Sequence, residues 1–313
     1  MHGKTRRAVR RVVTSVIGAS LAATLAGCWP ASGPASPEPS PTASAAADLT
    51  RPGVAAAAIA DLVATAGSAH AVKVEIDPVS VALSVVIGQT AATWQWRDGA
   101  ITAVESDTAY VGQAIFDPRG FHLADLTGLF SQAAAVAGSN QQQRLHIVEY
   151  ADGQVYMTVT TNPESAPVFF RPDGSLVETL DFTTAAGLAQ GLAEAAAGQA
   201  SVIAVGVDPA TGGFFVERRG APGQLVRTLR MPQLPPRNTA WAGVSELAEF
   251  NTGRIDTAAI ARVLARLPQL TGRPLDGFAL TVDRRAGRAE PVMHFTVDGQ
   301  TFMANLDGVI LAG

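Results

Sequence analysis

Cysteine is all but missing from this chain. Cys28 is the only one in 313 residues, so no disulfide can form within it. Aromatic residues make up 6% of the sequence, which leaves few places where a stacking surface could form. Catalytic signatures are missing as well. No Gly-x-Ser-x-Gly elbow occurs, and no Gly-rich nucleotide loop or dinucleotide fingerprint. Past the first residues the histidines are His70, His122, His146 and His294, and none pairs with another at metal-ligand spacing. The acids are scattered, at turns or on the polar side of strands as Glu75 and Glu149 are, with no pair placed for glycoside hydrolysis. The expectation is therefore a protein without metal, cofactor or catalytic residues.

What is present begins at the N-terminus. Lys4, Arg6, Arg7, Arg10 and Arg11 form a basic cluster, with no acid among the first 27 residues. An apolar stretch follows from Val12 to Gly27, short of the ~20 residues a membrane span needs. Its end, Leu25-Ala26-Gly27-Cys28, resembles the bacterial lipobox. That resemblance implies a signal peptide over residues 1–27, cleavage before Cys28, and diacylglycerol on the Cys28 thiol. Thr5-Arg6-Arg7-Ala8-Val9 loosely resembles a twin-arginine export signal. The lipobox implies a location on the outer face of the cell membrane, held there by lipid. Two or more acyl chains, at ~0.8 kcal/mol per buried methylene, make a stable anchor.

Cleavage would change the charge. Losing five cations from the 23 leaves 18 against 27 acids, a net charge of −9. That argues against nucleic acid as a partner, because phosphates demand a basic stripe. Only Lys4 and Lys73 are lysines. With the abundant alanine, this arginine bias points to a GC-rich genome of actinobacterial type.

From residue 28 to 48 the chain is mostly Pro, Ser, Ala and Thr, too poor in apolar bulk to fold, and reads as a tether. A folded part follows, built on an internal repeat over residues 49–180 and 181–313. Asp77-Pro78 recurs as Asp208-Pro209, and Asp107-Thr108-Ala109-Tyr110 as Asn238-Thr239-Ala240-Trp241, both 131 residues on. Phe116 and Phe250, Leu126 and Ile260, and Asp173-Gly174 and Asp307-Gly308 lie 134 apart, which places a three-residue insertion after Gly112.

Each copy reads as two units of one helix followed by strands. Helical stripes run through Ile59, Leu62 and Val63; Leu123, Leu126 and Phe130; and Leu188 and Leu192. The clearest is Ile260, Val263, Leu264 and Leu267 at i, i+3, i+4 and i+7, with Asp256 as N-cap and Pro268 as stop. Strands are expected at 72–76, 81–87, 93–97, 101–104, 144–150, 155–160, 167–171 and 175–179. In the second copy they are expected at 202–207, 214–218, 225–231, 278–282, 292–297, 301–305 and 309–311. Asp-Gly pairs at residues 98, 152, 173, 298 and 307 suit tight hairpin turns. The fold class is α+β, a duplication of helix-plus-antiparallel-sheet units with helices packed on one face of the sheet. The stretch 145–178, with Asp152-Gly153-Gln154-Val155-Tyr156 and Arg171-Pro172-Asp173-Gly174, resembles a PepSY-like module. Some members of that family restrain peptidases, and the resemblance carries over no catalytic residue.

Two features stand out as candidates for binding. Trp94 and Trp96, two apart on one strand, project from one face, as a stacking surface or as core under the first helix. Arg218, Arg219, Arg284 and Arg285, with Arg227, Arg230 and Arg288, form a basic excess suited to anionic wall polymers or a solvated rim. His122 and Asp125 stand at a helix start without a third partner. The leading expectation is a lipid-anchored binder or modulator of an envelope protein. The alternative is a carrier of an apolar ligand, in a void lined by Phe169, Phe214 and Phe295. An unrecognised hydrolase ranks last, since it needs convergent groups in a tight pocket.

Overall fold

The computed structural model describes residues 48–163, 166–275, 277–285 and 288–311. The leader, Cys28 and the tether up to residue 47 lie outside the described residues. The described residues fold as one compact unit with four α-helices, two seven-stranded antiparallel sheets and one two-stranded pairing.

The first half opens with helix α1 (Val54–Ala66), ended by Gly67 at φ 66°, a left-handed conformation that glycine adopts at least cost. Strands β1 (Ala71–Asp77), β2 (Ser80–Ile87), β3 (Thr90–Arg97) and β4 (Ala100–Val104) follow as consecutive hairpins. Helix α2 (Leu126–Ala137) starts at Asp125, whose carboxylate accepts from the Gly128 N–H at 2.8 Å. Strands β5 (Arg144–Ala151), β6 (Gln154–Thr160) and β7 (Val168–Phe170) complete the sheet in the order β4-β3-β2-β1-β5-β6-β7. Alternation decides what is buried. In β1, Val74 and Ile76 are fully buried while Lys73 and Glu75 stay partly exposed. Ile59 and Leu62 of α1 and Leu126 and Leu129 of α2 share one apolar cluster with Val74 and Ile76. Each such aliphatic side chain contributes ~1.5–3 kcal/mol by leaving water.

The second half repeats this. Helix α3 (Ala185–Ala196) precedes β8 (Ser201–Val202), β9 (Ala204–Asp208), β10 (Gly213–Arg219), β11 (Gln224–Arg230) and β12 (Arg237–Ala242). Then come β13 (Phe250–Asn251), helix α4 (Thr257–Thr271), β14 (Phe278–Asp283), β15 (Val292–Val297) and β16 (Gln300–Ala304). The sheet order is β12-β11-β10-β9-β14-β15-β16, the same as in the first half, strand for strand. Register repeats too. Ile76 pairs with Val81 and Leu145, and Val207 with Phe214 and Leu280. The isolated bridge between Ala71 and Phe116 becomes the pairing of Val202 with Phe250.

The register relocates the insertion. Val81 corresponds to Phe214, 133 residues on, and Trp96, opposite Val81, to Arg230, opposite Phe214 and 134 on. The extra residues thus sit in two hairpins. Residues 209–212 replace Pro78-Val79, and residues 221–223 stand where the first half has Gly88-Gln89. Asn238 pairs with Thr228 as Ala103 pairs with Trp94, so the four-residue likeness of Asp107–Tyr110 to Asn238–Trp241 does not mark equivalent positions. Residues 105–110 form no strand, whereas 237–242 form β12.

Three further expectations change. Pro268 does not stop α4, which runs on to Thr271. The missing N–H forfeits one bond, but the Thr271 hydroxyl donates to the Leu267 carbonyl at 2.9 Å and the Gly272 N–H closes on Pro268 at 2.9 Å. Residues 175–179 and 309–311 return to the sheet through single bridges only, Phe170 to Leu176 and Ala304 to Ile310. The Asp-Gly pairs accordingly divide. Those at 98, 152 and 298 place both residues at positive φ, as a two-residue hairpin needs, while at 173 and 307 only the glycine does so.

Candidate functional site

The face of the first sheet opposite its apolar cluster carries a connected polar row. Lys73 and Glu75 sit two apart on β1, and Glu75 lies directly across from His146 on β5. Glu75 Oε1 is 3.2 Å from His146 Nδ1, and Lys73 Nζ is 3.4 Å from Glu75 Oε2 and 3.2 Å from Asp107 Oδ2. On the far side of the imidazole, Nε2 is 3.3 Å from Thr160 Oγ1 of β6. The hydrogen bond from His146, then the Lys73 charge, hold the Glu75 carboxyl down at about 2 against the opposing effect of burial. The row ends in a cleft of about 420 Å³ walled by Gln142, Arg144, His146, Thr160, Thr161 and Asn162. The Asn162 amide donates to Gln142 Oε1 at 2.8 Å. The sequence offered no signal for this chain, because Glu75 and His146 meet only through the β1–β5 pairing across α2.

The tryptophans do not form a binding surface. Both do share a face, but it is the core face: Trp96 is buried in the apolar cluster with Trp94 packed against it. Of the three phenylalanines expected inside, Phe214 and Phe295 are fully buried. Phe169 lies on the opposite face, its ring 5.3 Å from that of Tyr150, and Phe170 takes the inward place.

The arginines do not form one patch either. Arg218 and Arg219 are neighbours on β10 and project from opposite faces. Arg218 lines a cleft of about 270 Å³ with Tyr156, Glu194 and Asn238. Arg219 donates to the carbonyls of Ser245 and Leu247 and pairs with Glu249 at 3.1 Å, pinning the chain after β12 to the sheet. Arg285 pairs with the buried Asp283 at 3.2 Å, and Arg284 bridges by its backbone to Ala248. His294 Nε2 is 3.7 Å from Asp283 Oδ1, and burial followed by the Arg285 charge lowers its pKa. His122 is exposed beside Gly174 and shares no polar contact with Asp125, which caps α2.

Where the halves meet, Glu194 of α3 accepts from Arg171 at 2.7 Å and from the fully buried Arg230 at 2.5 Å. Arg230 also donates to the carbonyls of Glu178 at 2.6 Å, Leu234 at 2.7 Å, and Met231. This junction is structural, since its donors and acceptors are spent on one another.

The outer edges of the sheets differ. At β7 and β16 the returning bridges cover part of the edge. At β12 the Asn238 N–H donates to Asp152 Oδ2 in the β5–β6 turn, at 3.1 Å. Strand β4 pairs with β3 alone, and Ala100, Thr102, Ala103 and Val104 are exposed.

No protein-family profile and no curated protein matches the chain. Solved structures of DNA sliding clamps show a remote likeness. A Helicobacter pylori β clamp bound to a DNA ligase peptide is 11% identical, with 82% of this chain and 64% of the clamp covered and a TM-score of 0.14. The Pseudomonas aeruginosa clamp is also 11% identical, over 82% of this chain and 61% of that one, with a TM-score of 0.14. The beta subunit of Thermotoga maritima DNA polymerase III is 8% identical, over 80% of this chain and 62% of that one, with a TM-score of 0.15. The chain thus spans under two thirds of the clamps' length, and scores this low carry no argument about function.

Proposed function

We propose that this chain is a lipoprotein of the cell envelope, anchored through Cys28 on the outer face of the membrane, that binds a protein partner along the edge of β4. The helices on this reading cover one face of each sheet and leave the other face of the first sheet and this edge to solvent. The reading is of a binder or modulator, with no turnover, cofactor or nucleic acid. The observation that carries it is the unequal treatment of equivalent edges. A strand edge left open is a template for pairing, and folded proteins usually cover or charge it. Here β12 is engaged by the neighbouring half, while its counterpart β4 has five residues and no charge on it. Adding a strand to such an edge supplies main-chain hydrogen bonds for affinity and alternate side chains for specificity.

A photo-crosslinker placed at Thr102 in the native membrane should trap one protein, and Ala103→Pro, which removes an N–H facing away from β3, should abolish the crosslink without unfolding the chain. Crosslinks equally strong from exposed Arg266 on α4, or unaffected by the proline, would sink the edge reading. Mass spectrometry of the native N-terminus tests the anchor separately, because a mature start elsewhere than a lipidated Cys28 removes it. One feature favours an apolar-ligand carrier instead. A cleft of about 250 Å³ is lined by Leu180, Phe182, Val207, Pro232, Leu275 and Phe278, among others. Native mass spectrometry of the extracted protein would reveal a stoichiometric apolar passenger, and finding one would promote that reading.

A further inference from the structure

The cleft at the end of the first sheet has the makings of an anion site, independent of the β4 edge. Arg144 stands on its wall, and among the described residues no carboxylate lies within 4.0 Å of the Arg144 guanidinium. Among the described residues the charges of the row are matched. Glu75 is held between Lys73 and His146, and Asp107 takes the remaining reach of Lys73.

Duplication supplies a control on whether the fold itself needs these groups. The positions of Glu75, Arg144 and His146 are Gly206, Ala279 and Thr281 in the second half, set by identical pairings. Only Thr160 keeps its type, as Thr296. The second sheet has the same strand order without the row, so strand order and pairing do not require it. A buried or half-buried polar chain retained where the fold can do without it points to a ligand.

We infer that the Arg144, His146, Thr160 and Asn162 cleft binds the oxyanion group, carboxylate or phosphate, of a small organic molecule. The guanidinium offers two parallel N–H donors to such a group. Glu75 fixes the imidazole with Nδ1–H directed at its carboxylate, which leaves Nε2 toward Thr160. In the neutral ring Nε2 accepts the Thr160 proton. In the protonated ring Nε2–H donates to Thr160 Oγ1 and frees the hydroxyl proton for the ligand. Glu75 and Lys73 from β1 and Arg144 from β5 are the charges facing that ring. The anion and the Glu75 carboxylate then stand at opposite ends of one chain, and the imidazole ring lies between them.

The test uses the full chain in detergent with arginine and histidine side chains labelled with nitrogen-15, titrated with succinate and separately with phenyl phosphate. The expected result is saturable shifts of the Arg144 Nε and His146 ring signals, with the stronger of the two probes naming the oxyanion. Arg144→Gln should weaken binding by about tenfold or more, the loss of a charge-assisted pair. Arg97→Gln, at an exposed hairpin elsewhere on the sheet, should leave it unchanged. Absence of shifts with both probes overturns the inference, and so does equal binding by the Arg144→Gln variant. Neither outcome bears on the β4 crosslinks.

Discussion

One sheet position carries Trp96 in the first half and Arg230 in the second. Both side chains are buried on the core side, opposite Val81 and Phe214 respectively. The tryptophan fills space and the arginine ties three segments, residue 178, residues 231–234 and Glu194, to one point. The opposite faces diverge in the reverse sense. In the first half that face holds Glu75 and His146 over the small Ala82. In the second, Phe215 lies over Gly206, where a Cβ would meet the phenyl ring at 3.1 Å, and joins Ala204, Leu229 and Leu247 in a small apolar cluster. The Arg227 guanidinium sits 4.4 Å above the Phe215 ring and pairs with Glu217. Met231 and Leu247 thus cover part of the second sheet where the first stays polar. What duplication teaches here is that strand order and register tolerate an exchange of chemistry between faces. The differences, more than the shared frame, locate function.

The largest expected effect would break that comparison at Arg230. Arg230→Leu strips one cation from a carboxylate that is mostly buried and leaves three carbonyls without their donor. It should cost about 3–5 kcal/mol in urea unfolding. A loss below ~1 kcal/mol would mean that the junction is wet and the arginine replaceable.

The next effect is the same in both halves. Leu126 and Ile260 sit at matching places in α2 and α4, each 1% exposed. Leu126→Ala and Ile260→Ala should each cost roughly 2–4 kcal/mol, and Leu264→Ala likewise, through lost burial and the cavity left behind. Arg266→Ala on the exposed side of α4 should stay within about 0.5 kcal/mol. A large gap between Leu126 and Ile260 would show that only one half carries the stability of the unit.

These helices were legible because their apolar spacing is strong and Asp256 is a good cap. Strand β12 was not, because nearly all of its residues are exposed at an edge and show no alternation. The strands expected at 175–179 and 309–311 have the right composition, but each meets the sheet at a single bridge. The spacing of Trp94 and Trp96 revealed a shared face without saying which face is inside. Arg218 and Arg219 looked like a patch because adjacency in sequence resembles adjacency in space, which a pleated strand denies. The Glu75–His146–Thr160 chain was out of reach altogether, since it depends on β5 pairing with β1 across an intervening helix.

A smaller effect concerns acid. The Glu75 carboxyl has its pKa depressed to about 2 in the folded chain, below the ordinary 4.5. A depressed carboxylate stabilises the fold above its unfolded pKa, and that contribution disappears as pH falls through the folded value. The first half should therefore lose stability between pH ~4.5 and ~2, on the order of 2 kcal/mol. Glu194, also lowered, adds a contribution at the junction that is likewise lost as pH falls below its ordinary value. Glu75→Gln should flatten part of the acid slope of urea midpoints. An unchanged slope would mean that the Glu75–His146 pair does not persist in solution.

The smallest effect compares two glycines that occupy the same turn in the two halves. Gly174 and Gly308 have φ of 86° and 84°, so either alanine substitution strains the backbone by about 1 kcal/mol. Their surroundings then separate them. A Cβ on Gly174 would meet the His122 ring at 2.9 Å, but His122 is exposed and its side chain can swing into solvent. A Cβ on Gly308 would meet the Ala259 carbonyl oxygen at 3.1 Å, and that oxygen belongs to the first turn of α4, which its Asp256 cap and buried Ile260 hold in place. Gly308→Ala should therefore be the costlier change, by a few tenths to about 1 kcal/mol over Gly174→Ala. Urea midpoints of the two single variants and of Gly174→Ala combined with His122→Ala decide it. If removing the His122 ring fails to recover stability in the Gly174 variant, the ring was never the obstacle. If Gly174→Ala proves the more damaging of the two, the turn in the first half is the more tightly held, and the rigidity assigned here to the α4 end of the second half is misplaced.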